Sequence, residues 1–234
     1  MPSALYSNPI MHIYIHFYVQ TLYALLVGIN EYDRRSRIPW LKGCVNDIHG
    51  MQAYLESRVA DVDLQIKSLI DEQATRQNII DGFRQHLSQA GAEDVALFYY
   101  AGHGAQATAP EPFWPVSPDR MMETIVCYDS RIDADHWDLA DKELAQLIAE
   151  VDRSKPHIAL VLDCCHSGSG TREADSTVAT RRAEPDYRIR PLESFLLSPQ
   201  AAQDMSAQSR NVVSTRSLSP IQLPIGRHVV LSAC

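Results

Sequence analysis

The sequence has no excess of positive charge and no cysteine spacing typical of a structural metal site. Its 21 Lys and Arg residues are outnumbered by 29 Asp and Glu residues, so the formal net charge is −8 at pH 7. Because nucleic acids and anionic membranes attract basic proteins, neither is expected as a partner. The 5 cysteines contain no C-x-x-C pair, which argues against structural zinc. An odd number of scattered cysteines fits a reducing compartment, and we expect a cytoplasmic protein.

The apolar run near the N-terminus lacks the marks of a targeting segment. Residues 10–29 read IMHIYIHFYVQTLYALLVGI, but no Lys or Arg precedes them and no A-x-A-like cleavage site is present. The run also contains His12, His16 and Gln20, which fit a membrane-spanning helix poorly. We therefore expect two β segments, one in an N-terminal extension over residues 1–21 and one that is a core strand.

Short apolar runs alternate with amphipathic stretches, which is the pattern of an α/β protein. The apolar runs predict buried strands of a mainly parallel sheet that is covered on both faces. The predicted strands are Tyr23–Ile29, Leu64–Ile70, Val95–Tyr100, Ile158–Leu162 and His228–Ser232. The predicted helices are Val45–Ser57, Thr75–Gln89 and Leu139–Val151, with Thr75 as the N-cap of the second.

From Ser167 to Pro224, small, polar and arginine residues replace this alternating pattern. Loops of such length inside a domain are usually functional or disordered, so we expect a long mobile linker. A short ordered piece is expected only near Ser194–Leu197. The basic residues of this segment are Arg172, Arg181, Arg182, Arg188, Arg190, Arg210 and Arg216.

Two of the predicted strands end in residues that carry chemistry. One ends in YYAGHGA, with His103 between two glycines, and the other ends in VLDCCHSG, with adjacent thiols at Cys164 and Cys165. Ligands of parallel sheets bind beyond the carboxyl ends of the strands, so neighbouring strands would bring His103 close to a thiol. A nearby imidazole converts a thiol into the nucleophilic thiolate, and backbone N–H groups beside the glycines can hold an oxyanion.

These two motifs, in this order, resemble those of the caspase-like cysteine peptidases, and specifically the metacaspase and bacterial orthocaspase branch. The stretches YALLVGINEY, LKGCVNDIHGM and HVVLSAC are also similar to that family. The resemblance implies a caspase-like three-layer α/β fold with a mainly parallel central sheet flanked by helices. It divides the chain after the extension into a large-subunit-like catalytic region (22–168), a flexible Arg-rich processing linker (169–224) and the start of a small-subunit-like region (225–234). Relatives continue past this last strand, so Val229 and Leu231 are expected to lack part of their cover.

The resemblance assigns the chemistry of a cysteine endopeptidase to particular residues. Cys165, directly before His-Ser-Gly, is the nucleophile and His103 is the base, while the backbone N–H groups of Gly104 and Cys165 hold the oxyanion. Cys164 is expected to point into the core, since neighbours on extended backbone face opposite sides. His166 is an alternative base, although sequence neighbours rarely reach the same reacting atom.

The resemblance also implies a pocket for the substrate residue before the scissile bond. The matching positions are Asp163 and Asp47, with Cys44 on the rim. Two carboxylates suit the planar guanidinium of arginine, so we expect protein or peptide substrates to be cut after Arg, with Lys second and Asp excluded. An arginine-specific peptidase of this kind could also cut its own linker.

Calcium enters because many metacaspases bind it through acidic side chains. Asp129 and Asp141 match ligand positions, whereas Lys142 stands where a second acid is common. Other acids in the stretch that could substitute are Asp133, Asp135 and Asp138. Calcium takes about six to eight oxygen ligands, so a lysine in the shell opposes binding, and we expect no cofactor. Relatives of this branch are often monomeric, and a monomer is expected here.

Two other functions are compatible with the motifs. A non-catalytic caspase-fold scaffold, or regulatory interaction module, would keep the fold but would not be labelled by a thiol-reactive Arg peptide. A redox sensor that uses Cys164 and Cys165 would oxidise reversibly without cleaving peptides, although a disulfide between adjacent cysteines is strained.

Overall fold

Eight β-strands occur in the described part of the computed structural model, which comprises residues 19–59, 62–114, 117–165, 180–196 and 228–233. They are β1 (Thr21–Gly28), β2 (Asp63–Ile70), β3 (Val95–Ala101), β4 (Gly104–Thr108), β5 (Met121–Ile125), β6 (Leu139–Ala140), β7 (His157–Asp163) and β8 (His228–Ala233). Five of them form a fully parallel sheet in the order β2-β1-β3-β7-β8. These five are the strands that the sequence predicts.

Helices cover both faces of this sheet. They are α1 (Cys44–Arg58), α2 (Arg76–Asp81) and α3 (Asp141–Val151). Ile48 of α1 packs over Gly28, whereas Gly82, directly after α2, packs against Leu25. Positions 25 and 28 of one strand face opposite sides, so these two contacts lie on opposite faces of the sheet. The architecture is therefore the three-layer α/β fold that the sequence predicts.

The second helical segment is less regular than predicted. Thr75 caps α2 as expected, because its hydroxyl oxygen accepts a hydrogen bond from the N–H of Asn78 at 3.2 Å. After α2 the chain continues as a π-helical turn and then as a short 3-10 turn. A Cβ atom at Gly82 would lie 2.6 Å from a methyl carbon of Leu25, so this close approach to the sheet requires glycine.

The burial of the parallel sheet falls from its centre to its edge. Ala24 to Val27 of β1 are completely inaccessible to solvent, and β3 is buried from Ala96 to Ala101. In β8, by contrast, Val229 and Leu231 are 62% and 61% exposed. The carboxyl ends of β1 and β3 therefore project from the best-buried part of the sheet.

A small antiparallel sheet lies beyond the end of β3, and the sequence patterns do not predict it. Its strands pair in the order β4-β5-β6. Strand β4, GAQAT, is short and poor in large apolar side chains, so it gives no strand signal. Residues 182–196, which we call the strap, run beside β4 in the parallel direction, with bridges from Gly104 to Arg182 and from Ala107 to Asp186.

The strap falls within the segment that the sequence assigns to a linker. Residues 180–196 lie against the domain, and this placed piece is longer than the one expected near Ser194–Leu197. The rest of the 169–224 segment, and residues 1–18 of the N-terminal extension, lie outside the described residues. In the part of the chain that the structure describes, no helix is long and apolar enough to cross a membrane.

Candidate active site

His103 and Cys165 follow neighbouring strands at the same edge of the parallel sheet. Strand β3 pairs with β7 in a register that sets Ala101 opposite Asp163, so each of the two residues lies two positions beyond a paired residue. Strands β2 and β3 lie on opposite sides of β1, and open α/β sheets bind ligands at such a change of direction. The structure therefore brings together the two strand ends that the sequence identifies.

The backbone of His103 is held by two buried tyrosines. Its N–H donates to the hydroxyl oxygen of Tyr32 at 2.7 Å, and its carbonyl accepts from the hydroxyl of Tyr100 at 2.7 Å. The Tyr32 ring also packs on the imidazole, with 5.3 Å between the ring centroids. Gly102 leaves room for these hydroxyls, because a Cβ atom there would lie 2.5 Å from the hydroxyl oxygen of Tyr100. The backbone position from which the imidazole projects is thus fixed at the end of β3.

The imidazole itself is oriented by a backbone carbonyl. Nε2 lies 2.9 Å from the carbonyl oxygen of Pro39, which can only accept, so this nitrogen carries the proton. Nδ1 is then unprotonated, and it is buried without a hydrogen-bond partner among the described residues. Burial lowers the pKa of His103 below its ordinary 6.5, the Pro39 contact opposes this, and the charges of Arg131 and Arg181 lower it further. The ring is therefore neutral at pH 7, with a free lone pair on Nδ1.

The two adjacent cysteines lie in different environments. Cys164 is 1% exposed and belongs to the hydrophobic core, whereas Cys165 is partly exposed at the strand end. No disulfide joins Cys164 to Cys165, so the strained pairing considered for a redox sensor does not form in this structure. The outcome is the alternation that extended backbone predicts. His166, the alternative base, lies outside the described residues.

The chain's own Arg181 occupies the space between these strand ends. Its carbonyl oxygen accepts hydrogen bonds from the N–H of Gly104 at 3.0 Å and from the N–H of Cys165 at 3.1 Å. These are the two donors that the resemblance assigns to the oxyanion. Because both donate to one oxygen, the two backbone nitrogens lie within two hydrogen-bond lengths of each other. The peptide carbonyl of Arg181 thus lies where a scissile carbonyl would be polarised.

The side chain of Arg181 lies between the two carboxylates predicted for the pocket. One terminal nitrogen donates to Asp47 and the other donates to Asp163. Burial alone would lower the pKa of this guanidinium, but the hydrogen bond to Asp47 and the charge of Asp163 raise it above its usual value. Gly43, with a φ of 102°, borders the pocket, since its Cβ position is 3.9 Å from the guanidinium. The planar fork meets one carboxylate at each nitrogen, which the single ammonium of lysine cannot reproduce.

Two further side chains surround this pocket. Cys44, predicted on the rim, is fully buried at the start of α1, and burial raises the pKa of its thiol to about 11. Tyr99, which sequence patterns do not identify, is buried on β3. Burial and the charges of Asp163 and Asp47 raise the pKa of its hydroxyl to about 12. Both groups are uncharged at neutral pH, so they add no charge to that of the two carboxylates.

Besides Tyr99, sequence patterns miss three parts of the site. Pro39 and Tyr32 lie in the loop after β1, and they act through a backbone carbonyl and a single hydroxyl. Neither contact has a motif that spacing could reveal. Arg181 belongs to the segment assigned to a linker, and its placement depends on the long-range pairing of the strap with β4. The one available signal was chemical, because arginine fits a pocket with two acids.

The two acids at the matched calcium-ligand positions, Asp129 and Asp141, are engaged with other groups. The ammonium of Lys142 lies 2.6 Å from the carboxylate of Asp141, and burial raises the pKa of that carboxyl. Asp129 accepts a hydrogen bond from the N–H of Arg76 at 2.8 Å. Within the ranges that the structure describes, no three His, Cys, Asp or Glu side chains converge as a metal site requires. These residues do not fit a calcium ion, and no step of the chemistry below uses one.

The parallel sheet, with an imidazole, a thiol and two N–H donors at one edge, defines a caspase-like protein. A profile of the metacaspase peptidase C14 domain matches residues 23–172, and the chain belongs to the metacaspase family. Metacaspase-2 of Trypanosoma brucei brucei is 30% identical over 158 residues, which are 64% of this chain and 42% of the relative. Metacaspase-1A of Aspergillus terreus is 28% identical over 152 residues, which are 62% of this chain and 36% of the relative. The chain thus spans less than half the length of these curated relatives.

A solved structure supports the fold alone. The crystal structure of a structural-genomics protein from Geobacter sulfurreducens matches with a TM-score of 0.57 at 21% sequence identity. The match covers 92% of this chain and 73% of that protein. It extends the similarity in architecture to most of the chain, including residues beyond the stretch that the family profile matches.

Proposed function

We propose that this chain is a cysteine endopeptidase that cleaves after arginine, and second after lysine, through a dyad of His103 and Cys165. The observation that carries the proposal is the position of Arg181, whose carbonyl meets both oxyanion donors while its guanidinium meets both pocket carboxylates. A segment bound in this way is oriented as a substrate is, with its carbonyl beside the thiol-bearing residue. Membership of the metacaspase family supports the same chemistry.

In the acylation step, the sulfur of Cys165 attacks the carbonyl carbon of the arginine. His103 takes the thiol proton on Nδ1, the nitrogen that the Pro39 contact leaves free. Negative charge moves to the carbonyl oxygen, where the N–H groups of Gly104 and Cys165 already point. His103 then gives its proton to the leaving amine, the C–N bond breaks, and a thioester on Cys165 remains. Water, deprotonated by His103, hydrolyses this thioester and restores the thiol.

The two pocket carboxylates select the residue before the scissile bond. An arginine side chain offers one hydrogen-bond donor to Asp47 and another to Asp163, as Arg181 does. Lysine carries the same charge as a compact ammonium, so it is bound by attraction but with fewer directed hydrogen bonds. An aspartate would be repelled by both carboxylates, and cleavage after aspartate is not expected.

Self-processing in the linker is part of the proposal, because Arg181 belongs to residues 169–224. We propose cleavage of the bond between Arg181 and Arg182, because the carbonyl of Arg181 accepts hydrogen bonds from both N–H donors. Other substrates would be proteins or peptides with arginine or lysine before the scissile bond. The proposal also includes a cytoplasmic location, argued from the cysteine content, and a monomeric enzyme, argued from the family resemblance.

Fluorogenic peptides that end in Arg, Lys or Asp test the proposal, with and without added calcium. Wild type should release the fluorophore fastest from the Arg peptide, more slowly from the Lys peptide and not from the Asp peptide. Cys165→Ala should abolish release from every peptide and should also abolish the new N-terminus at Arg182, detected by mass. Cys164→Ala is the matched control, because it removes the neighbouring thiol that lies in the core.

Two results would contradict the endopeptidase proposal in different ways. Full activity of Cys165→Ala would show that another group is the nucleophile. A folded wild-type protein that releases no fluorophore from any peptide would instead favour the non-catalytic scaffold.

A further inference from the structure

The strap continues the hydrogen-bond ladder of β4 beyond Arg182. The N–H of Ala183 donates to the carbonyl of Gly104 at 2.9 Å, and the N–H of Asp186 donates to the carbonyl of Gln106 at 2.7 Å. Both hydrogen bonds are made by residues that lie C-terminal to the peptide bond between Arg181 and Arg182. Cleavage of that bond therefore removes neither of them.

Side chains farther along hold the strap to the domain. Arg190 is 5% exposed and forms two hydrogen bonds, at 2.8 and 2.9 Å, with the buried carboxylate of Glu143. The guanidinium of Arg188 lies over the ring of Trp137 at 4.3 Å and donates to two backbone carbonyls. Phe195 packs into a small apolar cluster on the antiparallel sheet. All of these contacts are also made by residues C-terminal to the scissile bond.

Cleavage after Arg181 consequently frees an amine that stays beside the thioester. Ala183 remains bound to Gly104, so the new N-terminus at Arg182 is one residue from an anchored position, next to an oxyanion donor. Well-oriented groups that are held together react with effective concentrations that reach about 10⁵ M, so retention of the amine favours its reaction with the thioester. The retained amine, tethered through Ala183, therefore competes with water for the thioester.

We propose that this enzyme is also a transpeptidase, in which the amine of Arg182 accepts acyl groups from Cys165. The inference rests on the endopeptidase function proposed above. The neutral amine attacks the thioester carbonyl, the C–S bond breaks with its electron pair on sulfur, an amide C–N bond forms, and His103 receives the amine proton. The acyl group comes from Arg181, which restores the chain, or from another peptide that ends in arginine, which becomes joined to the strap.

An arginine ester tests the transfer directly. Self-cleaved wild type, with its Arg182 N-terminus verified by mass, is incubated with an acetylated peptide that ends in arginine ethyl ester. We expect the fragment that begins at Arg182 to gain the mass of the acyl peptide. The share of transfer over hydrolysis should increase as the pH rises through about 8, because an α-amino group loses its proton there.

Two matched substitutions separate the strap from the rest of the molecule. Arg188→Met loosens the strap without touching the pocket, and it should lower the transferred fraction about tenfold, the effect of losing a hydrogen bond made by a charged group. Arg84→Met removes a partly exposed ion pair with Glu150, away from the strap, and it should leave the transferred fraction unchanged. Equal transfer in Arg188→Met and wild type would overturn the role of the strap.

The remaining outcomes separate the transpeptidase proposal from the endopeptidase function on which it rests. Ester hydrolysis with an unmodified Arg182 fragment overturns the transpeptidase and leaves the endopeptidase standing. Ester hydrolysis by a chain that never cleaves itself also overturns it, since no acceptor amine forms. No turnover of the ester overturns the endopeptidase function, and the transpeptidase with it.

Discussion

Arg190 and Glu143 form a two-pronged ion pair in which one side chain is 5% exposed and the other is completely buried. Arg76, at the start of α2, contacts the same carboxylate, so Glu143 joins the strap to two parts of the domain. A buried carboxylate depends on such partners, because an unpaired charge away from water costs far more free energy than an exposed one. The stability of the protein should therefore be sensitive to this pair.

Arg190→Met should lower the free energy of unfolding by about 3–5 kcal/mol, because the buried carboxylate of Glu143 loses one of its two cationic partners. The measurement is urea denaturation in the Cys165→Ala background, which prevents self-cleavage. Arg84→Met is the control, since partly exposed pairs such as Arg84 with Glu150 contribute about 0–1 kcal/mol. A loss in Arg190→Met no larger than that in Arg84→Met would show that the pair does not stabilise the fold.

Asp47→Asn and Asp163→Asn should each lower kcat/KM for an arginine peptide about 10- to 150-fold, because each removes a hydrogen bond between charged groups. A peptide with citrulline, which has the shape of arginine without its charge, is the reference substrate. The preference for arginine over citrulline should narrow in both variants and stay unchanged in Asp135→Asn, an exposed acid. An arginine-to-citrulline ratio that stays at the wild-type value in both pocket variants would rule out the two-acid pocket.

The pH dependence of kcat/KM should report the neutral imidazole. Burial lowers the pKa of His103, so the ring remains unprotonated, and able to take the thiol proton, to below pH 6.5. Activity should accordingly fall on the acid side with a midpoint below 6.5. His49→Gln, a change at an exposed histidine, should not move this midpoint. A midpoint at or above 6.5 would mean that burial does not control the base.

Glu123 of β5 should make stability decrease as the pH rises from 4.5 to about 7. Burial raises the pKa of its carboxyl from 4.5 to about 7, and one of its oxygens is buried without a hydrogen-bond partner among the described residues. A group whose pKa is raised on folding stabilises the protein below its unfolded pKa, and this contribution is lost as the pH rises through the folded value. Glu123→Gln should therefore gain stability over wild type as the pH rises from 4.5 to about 7, and the difference should stay constant above that range.

Urea denaturation of both proteins at several pH values measures this difference. Glu111→Gln, at an exposed position, is the control and should run parallel to wild type. A constant difference between Glu123→Gln and wild type across this range would show that the carboxyl titrates normally in the folded protein.

The features of this molecule that depend on local sequence patterns could be predicted from the sequence. The strands that end in His103 and Cys165 are apolar runs with reactive residues at their ends, so both their burial and their shared edge follow from sequence. The segment after Thr75 keeps its predicted cap but not its predicted regularity, because the wide turn at Gly82 is packed against Leu25.

Long-range pairing determines the rest. The strap is held beside β4 by long-range backbone pairing, and β4 itself has too few large apolar side chains to predict a buried strand. The position of Arg181 depends on that pairing as well as on its own chemistry. The composition of the linker therefore identifies its arginines, but it does not indicate which of them binds in the pocket.

The group that orients the imidazole, the carbonyl of Pro39, is part of the main chain, as are both N–H donors to the carbonyl of Arg181. No side-chain substitution deletes these atoms, so an alanine scan would return a centre of one histidine, one cysteine and two acids. Replacement of single backbone amides by esters, through chemical synthesis, would reveal the contributions of these main-chain groups. Much of this centre is thus encoded in the path of the backbone, beyond the reach of ordinary point mutation.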